Sequence, residues 1–160
     1  DELVVTYYYN KTYGGKHPFH DGIELIVCSG LTFRHFVTLA KSLHKKVAVI
    51  TDNDHKCIEE LSNIYGDQDK LYRLFTESDT DLYTLEVAFA RANKEHIESL
   101  INIVTLRLHE HTLEAITDYM SNNKSTWAYR LLEYYDSNKE SCIIDVPQYI
   151  KDAISWIKEE

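Results

Sequence analysis

The sequence predicts an α/β fold, a small parallel sheet flanked by helices and followed by an all-helical C-terminal appendage. Three observations lead there. Apolar and β-branched runs recur at Glu24–Cys28, Val47–Thr51 and Leu71–Phe75. Segments with apolar residues at helical spacing lie between and after them, which implies right-handed parallel crossovers. Beyond residue 94 strand patterns vanish and helical ones follow one another.

Taken in order, Glu2–Tyr9 reads as the remainder of a helix, and residues 10–22, with the cluster Tyr13-Gly-Gly-Lys-His-Pro, as a loop. Glu24–Cys28 is a short strand ending at Ser29-Gly30. Thr32 is placed to cap a helix through Leu43, with Phe33, Phe36, Val37, Ala40 and Leu43 on one face. Val47–Thr51 shows no alternation, the pattern of a central parallel strand buried on both faces. His55–Tyr65 is the next helix, stopped by Gly66, and Leu71–Phe75 the next strand. The acidic loop Glu77–Asp81 leads to a helix opening at Tyr83-Thr-Leu-Glu86 and running to about Asn93. Glu95–Leu108, His109–Met120, Asn123–Tyr135 and Pro147–Lys158 are helices, the last with Pro147 in its first turn. A boundary near residue 94 divides the chain into residues 1–94 and 95–160.

The bulk composition narrows the function. The 160 residues are 44% hydrophobic and 27% charged, with five Gly and two Pro, as in a globular chain able to bury a core. Cys28, Cys57 and Cys142 are odd in number and lack ligand spacing, which fits reduced thiols in a cytoplasmic protein. No run approaches the roughly 18 apolar residues of a membrane span. The opening on Asp-Glu-Leu-Val-Val, without an initiator Met, reads as an excised fragment. A formal charge of −9 argues against a general nucleic-acid coat. It leaves room for an enzyme that meets phosphates through bound cations.

The chemistry concentrates at Lys45–Asp54, where the central strand stops on two carboxylates, Asp52 and Asp54. Ligands in open α/β sheets bind outside the carboxyl ends of strands. Two acids at i, i+2 can converge there on a hard cation such as Mg²⁺. The plainer reading is an Asp-rich turn with Asp54 as N-cap of the following helix. Eight His residues suggest zinc, but His17 and His20 have no matching second pair, and His109 and His111 point to different helix faces.

Three stretches carry a family resemblance: Asp21–Phe36, Lys46–Asp54 and Thr84-Leu-Glu86. Together with Asn122-Asn-Lys-Ser-Thr-Trp-Ala they resemble the Toprim region, with its helical appendage, of the OLD (overcoming lysogenization defect) family of ATP-dependent nucleases. Toprim is the metal-binding fold also used by topoisomerases and primases. The resemblance implies a metal-dependent DNA endonuclease with two Mg²⁺ or Mn²⁺ ions, of the kind found in phage defence and DNA processing. ATP would act only through a domain outside these residues, which would also supply homo-oligomerisation, and some members work with a helicase.

The same resemblance assigns residues. Asp52 and Asp54 become metal ligands, with Asp52 catalytic. Asp1 takes the place of the family's second acid, and Glu86 ligates the second metal. Lys124 is the catalytic lysine that steadies charge on the scissile phosphate. Each has a plainer reading: a frayed terminus for Asp1, a helix-start acid for Glu86 and a solvated lysine for Lys124. The family motif begins with a strand ending Glu-Gly just before the position of Asp1, and that Glu is absent here. Cleavage by the 160 residues alone is therefore expected to be weak or nil. An alternative from another class is a non-catalytic interaction module with an acidic surface. Primase-like or topoisomerase-like chemistry ranks lower, for want of a zinc ribbon or a strand-passage Tyr.

Overall fold

A computed structural model of the chain describes residues 2–105 and 110–159. They form two compact units, each built from two stretches of chain. Residues 2–25, 85–105 and 110–146 belong to the first, and residues 26–84 with 147–159 to the second.

The first unit is helical. Helix α1 (Glu2–Thr12) buries Val4, Val5, Thr6, Tyr7 and Tyr9 in near succession, so it is enclosed on most sides rather than lying on a surface. It packs on α7 (Lys124–Ser137), where the Tyr7 ring meets the edge of Tyr135 at 5.4 Å. Burial pushes the Tyr7 phenol well above its ordinary pKa, and the hydroxyl donates to the Ile144 carbonyl. Helices α4 (Leu85–Ala92), α5 (Ile97–Val104) and α6 (Leu113–Asn122) complete the unit. Phe89 of α4 meets Trp127 of α7 at 4.9 Å, and Leu100, Val104, Ile116, Met120 and Leu131 are buried with them. Asn93, fully buried, ends α4. Its Nδ2 donates to the carbonyls of Phe89 and Asp145 and its Oδ1 accepts from Asp145 N–H, at 2.8 to 2.9 Å.

The second unit holds the sheet. Strands β1 (Val47–Ile50) and β2 (Tyr72–Phe75) pair parallel, with Val47 opposite Tyr72 and Ile50 opposite Phe75. Helix α2 (Phe33–Ser42) precedes β1, and α3 (Ile58–Tyr65) joins the strands as the crossover. Helix α8 (Gln148–Lys158) packs on both strands. There Trp156 lies 5.9 Å from the Phe75 ring, with Lys46 and Arg73 at 5.0 and 5.4 Å from the indole centroid, within cation–π reach. A small parallel sheet flanked by helices, with only helices after it among the described residues, is the predicted fold class.

Several local expectations are corrected. Glu24–Cys28 is not a strand: it has no ladder partner among the described residues, and Ile26 and Val27 are 49% and 75% exposed. A short apolar run looks the same in sequence whether or not it finds a partner. Gly30 accordingly opens a 3-10 turn with φ +55 rather than closing a strand. All four β1 residues are half-buried instead of fully buried, because among the described residues β1 pairs along one edge only. The helix expected from His55 starts at Ile58. Thr32 occupies the N-cap of α2, but its hydroxyl donates to the Ser29 carbonyl instead of capping. The helix expected over Glu95–Leu108 runs from Ile97 to Val104, with Thr105 already extended, and the one expected from His109 starts at Leu113. Leu108 and His109 themselves lie outside the described residues.

The turn into β2 is anchored by Asp69, whose carboxylate accepts from the N–H groups of Leu71 and Tyr72 at 2.8 and 2.9 Å and pairs with Lys41 at 2.7 Å. The Lys41 ammonium holds the Asp69 carboxyl below the usual carboxylate range. A lowered folded pKa stabilises above the unfolded value, about 4, and that contribution is lost as pH falls through the folded value. Asp69→Asn keeps an acceptor for both N–H groups but loses the ion pair. Its melting temperature should lie below wild type at neutral pH, with the gap closing only below about pH 4. Melting curves between neutral and strongly acidic pH check this.

Candidate functional site

The loop leaving β1 extends the parallel pairing by one step, since Thr51 N–H donates to the Phe75 carbonyl at 3.1 Å. The Thr51 hydroxyl lies 3.0 Å from the Tyr65 hydroxyl at the end of α3. Next come Asp52, half-buried, and Asp54, whose side chain is 69% exposed and sits 3.7 Å from the Lys56 ammonium. An exposed pair of this kind is a weak contact, screened by solvent.

Between the two acids lies Asn53, with no exposed surface. Its Nδ2 donates to the carbonyls of Glu77 and Asp79 at 3.0 and 2.9 Å, and its Oδ1 accepts from His55 N–H at 2.9 Å. Asp54 N–H donates to the Tyr83 carbonyl at 3.2 Å. The His55 ring stacks on Tyr83 at 3.9 Å and its Nδ1 is 3.0 Å from the Thr80 carbonyl. Asp54 and His55 both have positive φ, +50 and +63. That region is sparsely populated by residues with a Cβ, Asp being among the more tolerant. The loop after β1 is thus laced to the loop after β2, so both carboxyl ends of the parallel strands share one framework.

The cap reading of Asp54 is overturned. The N-cap of α3 is Cys57, and the Glu60 carboxylate reaches back to Cys57 N–H at 2.9 Å. That bond holds the Glu60 carboxyl below its ordinary pKa. Asp54 sits three residues earlier in the left-handed turn, where its carboxylate is spared from capping. The acids of the neighbouring loop are turn formers. Glu77 accepts from Ser78 N–H and Asp79 from Asp81 N–H, both at 2.9 Å.

Of the remaining predicted residues, Glu86 and Lys124 belong to the first unit. Glu86 lies in the first turn of α4 and is 4% exposed, the one charged side chain among the buried described residues. Burying a carboxylate is expensive without compensation, and a helix N-terminus supplies part of it. Lys124 is exposed at the first residue of α7, where a cation opposes the helix dipole. Local stability therefore gives no reason for a lysine there. Asp1 lies outside the described residues.

Among the described residues no group of three or more His, Cys, Asp or Glu side chains converges as a metal cage. The donor set of the β1 loop nevertheless suits Mg²⁺, which is held by one or two carboxylates, waters and substrate phosphates rather than by an all-protein cage. Asp52 and Asp54 offer that minimum. Sequence reasoning missed Asn53, His55 and Tyr83. An Asn between two Asp residues carries no signal that it will be buried, and Tyr83 is 28 residues from His55.

Residues 1–54 match the family model described as overcoming lysogenization defect protein-like, TOPRIM domain. The match ends on Asp54. It therefore takes in both acids of the β1 loop, and leaves Glu86 and Lys124 outside it. The N-terminal stretch is Toprim-like, with helices following it in the chain. No curated protein and no solved structure matches the chain.

Proposed function

We propose that the chain is the Toprim-like part of a metal-dependent DNA endonuclease of OLD type. The observation that carries this is the Asp52/Asp54 pair, set at the carboxyl end of β1 in a braced loop within the stretch that matches the family model. Asp52 and Asp54 would hold Mg²⁺ or Mn²⁺. When bound, such an ion supplies Lewis acidity and a water acidic enough to act as nucleophile near neutral pH.

Glu86 and Lys124 are assigned through the resemblance alone. Glu86 would add a carboxylate toward a second ion, and the Lys124 ammonium would bind a phosphate oxygen and steady the charge that builds on it. ATP dependence, oligomerisation, a helicase partner and a role in phage defence belong to the same proposal and would come through other parts of the protein. The cytoplasmic placement is also proposed, on the free cysteines and on the absence, among the described residues, of any helix long and apolar enough to cross a membrane.

Calorimetric titration of Mn²⁺ into the chain tests the reading directly. Uptake that disappears in the Asp52→Asn, Asp54→Asn double variant supports it, and no uptake by wild type rejects it. In a protein that carries this chain and nicks supercoiled plasmid, Lys124→Ala should slow nicking about 10²–10³-fold, as loss of one transition-state donor does. Its Mn²⁺ affinity should not change. Nicking at the wild-type rate would remove Lys124 from the site.

One observation favours the second reading, a non-catalytic interaction module. Phe36, Leu39 and Leu43 are 43%, 59% and 60% exposed. They fall at i, i+3 and i+7 along α2 and its C-cap, and would suit an apolar-faced protein helix. A module of that kind needs no cation, so the same Mn²⁺ titration separates the two.

A further inference from the structure

We propose that Asn53 is the positioning residue of the Asp52/Asp54 pair, an inference that rests on reading those acids as cation ligands. Asn53 is fully buried, and a buried carboxamide must find partners. Each of its polar atoms has one or two. Nδ2 donates to the Glu77 and Asp79 carbonyls, and Oδ1 accepts from His55 N–H. The first two partners lie in the loop after β2 and the third in its own loop. The side chain is therefore the clamp between the two loops that leave the carboxyl ends of the parallel strands.

What the clamp holds is unusual. Asp54 and His55 are consecutive residues in the left-handed region, a conformation that persists only where the surroundings over-determine it. Here it is fixed by Asp54 N–H to the Tyr83 carbonyl, by His55 N–H to Asn53 Oδ1, and by the His55 ring against Tyr83 and the Thr80 carbonyl. Two carboxylates one residue apart repel and swing away from each other when nothing holds their backbone. Releasing Asn53 frees the backbone of Asp54 to leave the left-handed region, and its carboxylate then moves relative to that of Asp52.

The chemistry of the clamp is specific to an amide. It needs two donors and one acceptor in one small side chain, and aspartate supplies only acceptors. Asn53→Asp would set a carboxylate oxygen against the Glu77 and Asp79 carbonyls. If the number of charges decided cation affinity, that variant, with three successive acids, would bind more tightly than wild type. If position decides it, the variant binds more weakly in spite of its extra charge.

The test titrates Mn²⁺ calorimetrically into wild type, Asn53→Ala and Asn53→Asp. Both variants are expected to lose about ten- to a hundredfold in affinity, the loss typical of removing a residue that orients a ligand. Equal or tighter binding by Asn53→Asp, or unchanged binding by Asn53→Ala, overturns the assignment while leaving the metal reading intact. If wild type binds no better than the Asp52→Asn, Asp54→Asn double variant, the metal reading fails and this one with it. Amide hydrogen exchange separates positioning from collapse. In Asn53→Ala the amides of Asp54 and His55 should exchange rapidly while those of Val47–Ile50 stay protected, and equal loss at both places counts against positioning. In wild type the Asp54 and His55 amides should be protected, and rapid exchange there overturns the proposal even if neither variant folds.

Discussion

Asp52→Asn is expected to abolish Mn²⁺ uptake, and with it any Mn²⁺-dependent nicking by a protein that contains this chain. The two side chains have nearly the same shape, so the substitution isolates charge. A hard cation draws its binding energy from anionic oxygen, and Mg²⁺-type sites built on two carboxylates have none to spare. Asp54→Asn should do the same for a further reason. Asn tolerates the left-handed region at least as well as Asp, and Asp54 is largely exposed with only a weak pairing to Lys56. Its melting temperature should match wild type. Calorimetry and melting curves on the same samples check both statements, and retained uptake in either variant removes that acid from the site.

Trp127→Ala carries the largest expected loss of stability. The indole is 1% exposed and meets Phe89 at 4.9 Å, among Leu100, Ile116, Met120 and Leu131. Truncation leaves a cavity that close-packed neighbours fill only in part, at a cost of about 3–5 kcal/mol. Trp127→Phe should cost far less. The Trp127 Nε1 donor has no hydrogen-bond partner among the described residues, so phenylalanine keeps much of the apolar contact and removes an unsatisfied buried donor. Chemical denaturation followed at the helical signal distinguishes the two. Equal losses would mean that the indole nitrogen makes a bond the structure does not show.

The sheet and helices were legible because periodicity and turn chemistry agreed. Val47–Ile50 is an uninterrupted apolar run closed by Asp52-Asn53-Asp54, Tyr72–Phe75 is a mostly apolar one between acidic turns, and Gly66 stops α3 as expected. Pairing was not legible. Glu24–Cys28 has the same local character as β1, and only long-range geometry decides which run finds a ladder partner. The same limit applies to α8, whose apolar face would look alike against a sheet or against helices. The acids of the site were visible as residue types at a strand end. Their bracing was not, since Asn53 depends on carbonyls of Glu77 and Asp79 more than 20 residues away. The start of α3 was misplaced because two successive left-handed residues, Asp54 and His55, break a stretch whose composition is compatible with a helix.

Helix α8 has one further consequence, for synthesis on the ribosome. The sheet unit leaves off at Thr84 and resumes at Pro147. Its strands are made early, yet the indole that covers Phe75, Lys46 and Arg73 arrives with Trp156. Until then β1 and β2 have α2 beside them but lack the cover that α8 supplies, and a two-stranded sheet is too small to be stable alone. All of α4–α7 is translated in that interval, and folding domain by domain in order of synthesis is closed to this unit. The surface of the strands that α8 covers remains exposed to aggregation or to a chaperone for as long as the chain takes to reach α8.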